Sequence, residues 1–76
     1  MEKYENKSGN SGVTHYEIGE DFIKLKFQHS PEIYTYNYQI PGKSAVEKMK
    51  VLAKDGEGLS TFIAQEVKDD YFGKDL

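Results

Sequence analysis

Two histidines, no cysteine and thirteen carboxylates are the residues from which this chain would have to build acid–base, nucleophilic or metal chemistry. Covalent catalysis needs a nucleophile paired with a base, and neither a thiol nor a Gly-x-Ser-x-Gly turn is present. His15 falls within an expected strand and His29 in an expected turn. The two lack the His-x-x-x-His spacing that puts imidazoles on one helix face around zinc. The acid pairs Glu20/Asp21 and Asp69/Asp70 fall at element ends, where solvated charge is ordinary, and no spacing sets them across a cleft. Asp55-Gly56-Glu57-Gly58 lacks the alternating ligands and the distal glutamate of a calcium loop. Gly9 and Gly12 are neither preceded by a strand nor followed by Lys-Ser/Thr, as a phosphate cradle requires. These residues point to a protein that is not an enzyme and holds neither cofactor nor metal.

What remains is binding chemistry. The ten lysines stand without a single arginine against the thirteen acids, a formal charge of −3. That balance disfavours a protein devoted to neutralising phosphates. Lys24 and Lys26, joined by Lys43, Lys48, Lys50 and Lys54, form the one basic grouping, and solubility alone would account for such lysines. Tyr34, Tyr36 and Tyr38 alternate along one segment. They form either a core stripe or a base-stacking platform of the kind single-stranded nucleic acids use.

The elements that position these groups follow from periodicity. Val13 to Ile18 is rich in β-branched and aromatic residues and reads as a strand, with Gly19-Glu20-Asp21 as a turn. Ile23, Leu25 and Phe27 then alternate with Lys24, Lys26 and Gln28, giving one dry face and one wet face. His29-Ser30-Pro31-Glu32 is a second turn, and a third strand runs from Ile33 to about Ile40. Burying Thr35, Asn37 and Gln39 would desolvate polar groups at about 1–3 kcal/mol each unless paired, so the tyrosines are expected to face the core with their hydroxyls at its rim. Exposed tyrosines beside Lys24 and Lys26 would instead make a nucleic-acid surface.

Pro41-Gly42 ends the sheet, and Ser44-Ala45-Val46-Glu47 has the spacing of a capping box. Val46, Met49, Leu52 and Ala53 then share a helical stripe, with Lys48, Lys50 and Lys54 off it and Gly56 as a left-handed stop. Leu59, Phe62, Ile63 and Val67 predict a second helix to about Asp69. The fold class is therefore α+β: a three-stranded antiparallel meander followed by two helices on one face. Residues 1–12 have linker composition and read as a flexible tail, 13–72 as the single domain, and 73–76 as a fraying end. Absence of cysteine fits a reducing, cytoplasmic setting, and no stretch has the run of apolar residues a signal peptide or membrane span needs.

The run Phe22-Ile23-Lys24-Leu25-Lys26-Phe27, then Ile33-Tyr34-Thr35-Tyr36, Ile40-Pro41, a helix, and a glycine turn into Phe62-Ile63-Ala64-Gln65-Glu66-Val67-Lys68-Asp69-Asp70-Tyr71, resembles the KTSC domain. That short module occurs at the C-terminus of some lysyl-tRNA synthetases and as a stand-alone bacterial or phage protein. The resemblance covers Tyr16 to Tyr71, with Tyr34 and Tyr36 matching the family's central Tyr-x-Tyr. It implies an RNA-binding role. The chain departs from the pattern in having no arginine around its last helix and in placing Pro31 in a longer second turn.

Two roles follow as expectations. In the first, a small interaction module docks a protein partner on an open sheet face or edge strand; in the second, RNA or single-stranded DNA is bound through the sheet face. The candidate residues for either are Lys24, Lys26, Tyr34, Tyr36 and Lys43.

Overall fold

The computed structural model describes residues 1–75. Five strands follow the chain: β1 (Glu2–Lys3), β2 (Val13–Ile18), β3 (Phe22–Phe27), β4 (Ile33–Asn37) and β5 (Gly73–Asp75). They form one antiparallel sheet in the order β1-β2-β3-β4-β5. Helix α1 (Lys43–Asp55) and the short helix α2 (Leu59–Phe62) lie between β4 and β5 in sequence, and α2 continues into a π-helical turn, Ile63–Val67.

The three expected strands form the centre of the sheet, and the alternation in β3 settles its two faces. Cross-strand partners share a face. One row joins Tyr16, Leu25 and Tyr34, and the next joins Ile18, Ile23 and Tyr36. Ile23, Leu25 and Tyr36 are buried together with Val46, Met49 and Ala53 of α1 and with Leu59, Ile63 and Val67 beyond it. The tyrosine side of β4 is thus the helix-covered side, as the cost of burying Thr35 and Asn37 requires.

Two further strands correct the three-stranded expectation. Glu2–Lys3, placed by composition in a tail, pairs with Tyr16 and His15 of β2. The anchor is Tyr4, only 2% exposed, whose hydroxyl accepts a hydrogen bond from the Leu59 amide at 3.3 Å. At the other end, Gly73–Asp75 pairs with Thr35, Tyr34 and Ile33, where fraying was expected. Leu76, the last residue of that expected frayed end, lies outside the described residues.

The helices also depart from their sequence signals at the ends. Gly42, not Ser44, precedes α1, and no side chain caps it. Ser44 is already inside the first turn. Glu47, the expected partner in a capping box, instead bonds Tyr38 and Lys50. The last helix stops being α-helical after Phe62, and β4 ends at Asn37, three residues before Ile40. There the Asn37 carboxamide accepts from the Gln39 and Ile40 amides at 3.0 and 2.9 Å, offering a turn in place of a ladder. The Ile40–Pro41 peptide bond is cis.

Candidate binding surfaces

The five residues singled out by sequence fall in three different places. Lys24 and Lys26 pair with Thr35 and Ile33 on the face of the sheet away from the core. Tyr34 and Tyr36 point to the opposite side. Lys43 begins α1, is exposed, and sets its Nζ 5.8 Å from the Tyr38 ring centroid.

Register assigns the outer face its composition. One row runs Lys3, His15, Lys26, Ile33 and Asp75; the next holds Glu17, Lys24, Thr35 and Gly73; a third pairs Phe22 with Asn37. No helix of the described residues lies over this face. Phe22, Ile33 and Thr35 are each partly accessible, and the Lys24 ammonium stands 5.6 Å from the Phe22 ring centroid. The ion pairs among the described residues engage Lys7, Lys50 and Lys74, so Lys3, Lys24 and Lys26 carry charge that no carboxylate of the described residues offsets within 4 Å. The result is a face on which Phe22, Ile33 and Thr35 lie among three ammonium groups and the carboxylates of Glu17 and Asp75, a small positive excess on a protein of net negative charge.

The inner side holds a second feature. Phe27 and Tyr34 meet edge to face at 5.2 Å between centroids, Tyr34 and Tyr71 at 4.9 Å, and Tyr36 and Tyr71 at 6.3 Å. Such perpendicular pairs place the positive edge of one ring on the negative face of the next. The rings line an open cavity of about 340 Å³, whose mouth carries His29, Lys68 and Asp69. Burial pushes the Tyr36 phenol upward, helped by the nearby Tyr34, Tyr71 and Asp69 side chains, so its hydroxyl stays protonated. The dry face of β3 already sets Phe27 beside these tyrosines in the sequence, though not as a binding residue; sequence reasoning missed Tyr71, which is far from Tyr36 in the chain and arrives only because β5 returns beside β4.

At the third location, the Tyr38 hydroxyl donates to Glu47 Oε2 at 2.6 Å, and Lys50 Nζ reaches the same oxygen at 2.9 Å. Lys50 also donates to the Glu20 carbonyl at 2.8 Å and is only 9% exposed, although sequence placed it off the buried stripe. Its aliphatic stem packs inward while its charge finds oxygen partners. The hydrogen bond to Glu47 raises the Tyr38 phenol from its usual 10 to about 12, and Tyr38 and Lys50 hold the Glu47 carboxyl below its usual range.

The signs give a pH window. Glu47, with its folded value lowered, stabilises the fold above the ordinary carboxylate range, and that contribution is lost as pH falls through the depressed value. Tyr38, with its folded value raised, contributes below pH 10 and loses the contribution as pH climbs toward about 12. Thermal melts of the native chain and Glu47→Gln should therefore differ at neutral pH and converge in acid below the carboxylate range. A constant separation down to pH 2 would exclude this cluster as the source.

No group of three or more histidine, aspartate or glutamate side chains among the described residues is placed to hold a metal ion. No helix of the described residues is long and apolar enough to cross a membrane. Comparison with protein-family models, curated proteins and solved structures finds no match to this chain.

Proposed function

We propose that this chain is a small, non-enzymatic interaction module that binds a protein partner through the open face of its sheet. The observation that carries this reading is the separation of cations from rings. Lys24 and Lys26 share the outer face with Thr35 and Ile33, whereas Tyr34 and Tyr36 turn toward the helices. An RNA-binding surface of the kind the KTSC resemblance implies needs bases stacked on rings while lysines track the backbone on the same side. Among the described residues the open face offers Phe22 and the smaller His15 ring for stacking, and none of the tyrosines of β4.

A protein surface makes a different demand. It needs a partly apolar centre that can be desolvated and a polar rim that sets register and on-rate. Phe22, Ile33 and Thr35 supply the centre; Lys3, Lys24 and Lys26, against Glu17 and Asp75 on the same face, leave a positive excess for an acidic partner. The edges are less suited to strand addition, because β1 has two residues and β5 three, and edges this short limit pairing.

An isotope-labelled sample titrated with fractionated cell protein tests the reading. Amide signals of Lys24, Lys26, Ile33 and Thr35 should shift, and the double variant Lys24→Glu/Lys26→Glu should weaken capture about tenfold or more, since like charge replaces complementary charge. Its melting temperature should remain close to native, as both side chains reach solvent. Shifts on this face with short oligonucleotides, and none with any protein fraction, would sink the proposal in favour of nucleic acid.

A further inference from the structure

The aromatic cavity on the helix side is independent of the open face and has chemistry of its own. Tyr36 is 2% exposed and lines the cavity, yet its hydroxyl makes no hydrogen bond to the described residues. Among the described residues no fully buried polar side-chain atom is left unpaired. The hydroxyl therefore keeps access to solvent, and the cavity that Tyr36 lines supplies a place for a partner. A buried phenol normally finds a partner.

The backbone at the mouth of the same cavity is unusual. The α-helix widens at Ile63–Val67 into a π-helical turn, a feature frequent at functional sites. Lys68 follows with φ 55° and ψ −124°, a conformation that favours glycine and costs a lysine on the order of 1–3 kcal/mol. This geometry sets Ile63 in the wall and Lys68 and Asp69 at the mouth.

The lining selects among ligands. A volume of about 340 Å³ is at the small end of the range for ligand pockets, enough for one or two rings. Phe27, Tyr34, Tyr71 and Ile63 supply flat or apolar walls. A cation is not what the rings need, because Lys74 Nζ already lies 5.7 Å from the Tyr34 centroid and 6.0 Å from that of Tyr71, with Glu32 at 3.6 Å. The Tyr36 hydroxyl calls for an acceptor, and the Asp69 carboxylate for a donor.

We propose that this cavity binds a free, neutral, planar heterocycle of one or two rings that carries an acceptor and a donor side by side on one edge, as a lactam or nucleobase does. The acceptor takes the Tyr36 O–H and the donor is directed to Asp69, while the ring lies against the aromatic wall.

Uracil is a suitable probe, with 1,3-dimethyluracil as the analogue that keeps the ring and its carbonyl acceptors but replaces both N–H groups by N-methyl. Saturable shifts of the Phe27, Tyr34 and Tyr71 ring signals are expected with uracil at millimolar concentration and not with the dimethyl analogue. Tyr36→Phe removes one hydroxyl and keeps the ring, so it should fold as the native chain does and lose affinity about tenfold. Asp69→Asn, at an exposed position, should weaken binding similarly and provides the answer if Tyr36→Phe alters the fold. Equal response to both probes, native affinity in both variants, or no ring shift up to the solubility of uracil would overturn the assignment. So would tighter binding of a short oligouridylate at the same rings, which would make the occupant a base within nucleic acid.

Discussion

Tyr4→Ala should lower the unfolding free energy by about 3–5 kcal/mol, the usual cost of removing a large aromatic side chain from a core. A chain of 76 residues has a net stability of only a few kcal/mol, so the variant is expected to be largely unfolded at 37 °C. Two losses combine. The ring leaves a cavity beside Val13 and Leu59, members of the same buried cluster, and the Leu59 amide loses the phenol oxygen that accepts its hydrogen bond. Urea denaturation followed by circular dichroism measures the change, with Tyr4→Phe separating ring from hydroxyl: it should cost about 1 kcal/mol. A stability for Tyr4→Ala within 1 kcal/mol of native would mean that the first strand is dispensable.

This anchor shows what kind of information the sequence withholds. The Ser/Gly/Asn stretch from Asn6 to Gly12 forms no strand or helix, yet it is tied to the fold: the Lys7 amide donates to the Gly56 carbonyl and the Gly12 carbonyl accepts from the Gln28 amide, bonds that linker composition does not announce. Composition averaged over residues 1–12 hides one aromatic residue, and a strand of two residues has no alternation to detect. Tyr4 could have been noticed as the only aromatic in that stretch. Strand β5 was hidden for a similar reason. Gly73, Lys74 and Asp75 have low strand propensity, and their pairing is imposed by β4, whose other edge needs a partner for its backbone groups.

The central elements were legible because each carries a repeat with a single consistent reading. Ile23, Leu25 and Phe27 alternate with charged or amide residues, and Val46, Met49 and Ala53 recur at helical spacing. The side on which Tyr36 is buried followed from the poor fit of Asn37 in a core. Tertiary competition set the ends. Glu47 has both a capping role and a partner in Tyr38 available to it, and it adopts the latter along with Lys50. The candidate site was half legible: Lys24 and Lys26 could be assigned to one face, but the cavity around Tyr36 depends on Tyr71, delivered from 35 positions away by a turn whose unusual backbone at Lys68 has no sequence signature.

Gly56→Val is the second substitution expected to act strongly, and it probes the same corner of the molecule from the helix side. Gly56 closes α1 with φ 78° and ψ 20°, its amide donating to Leu52 and Ala53 carbonyls at 2.9 and 3.2 Å. A side chain at positive φ is strained, and more so when β-branched. A Cβ at this position would also stand 2.5 Å from Glu5 Cβ, an atom too near the backbone to swing aside freely. The Gly56 carbonyl meanwhile accepts from the Lys7 amide at 2.8 Å, so relief of the clash pulls the first segment away from the helix end. Strain and displacement together should cost about 2–4 kcal/mol. Gly9 supplies the comparison: its φ is similar at 82°, but nothing lies within 4 Å of its would-be Cβ, and Gly9→Val should lose only the backbone part of that cost, about 1–2 kcal/mol. Because Glu5 and Tyr4 are adjacent, Gly56→Val and Tyr4→Ala should be less than additive in a double-mutant cycle. Full additivity would show that the helix end and the first strand are held independently, contrary to the contacts that join them.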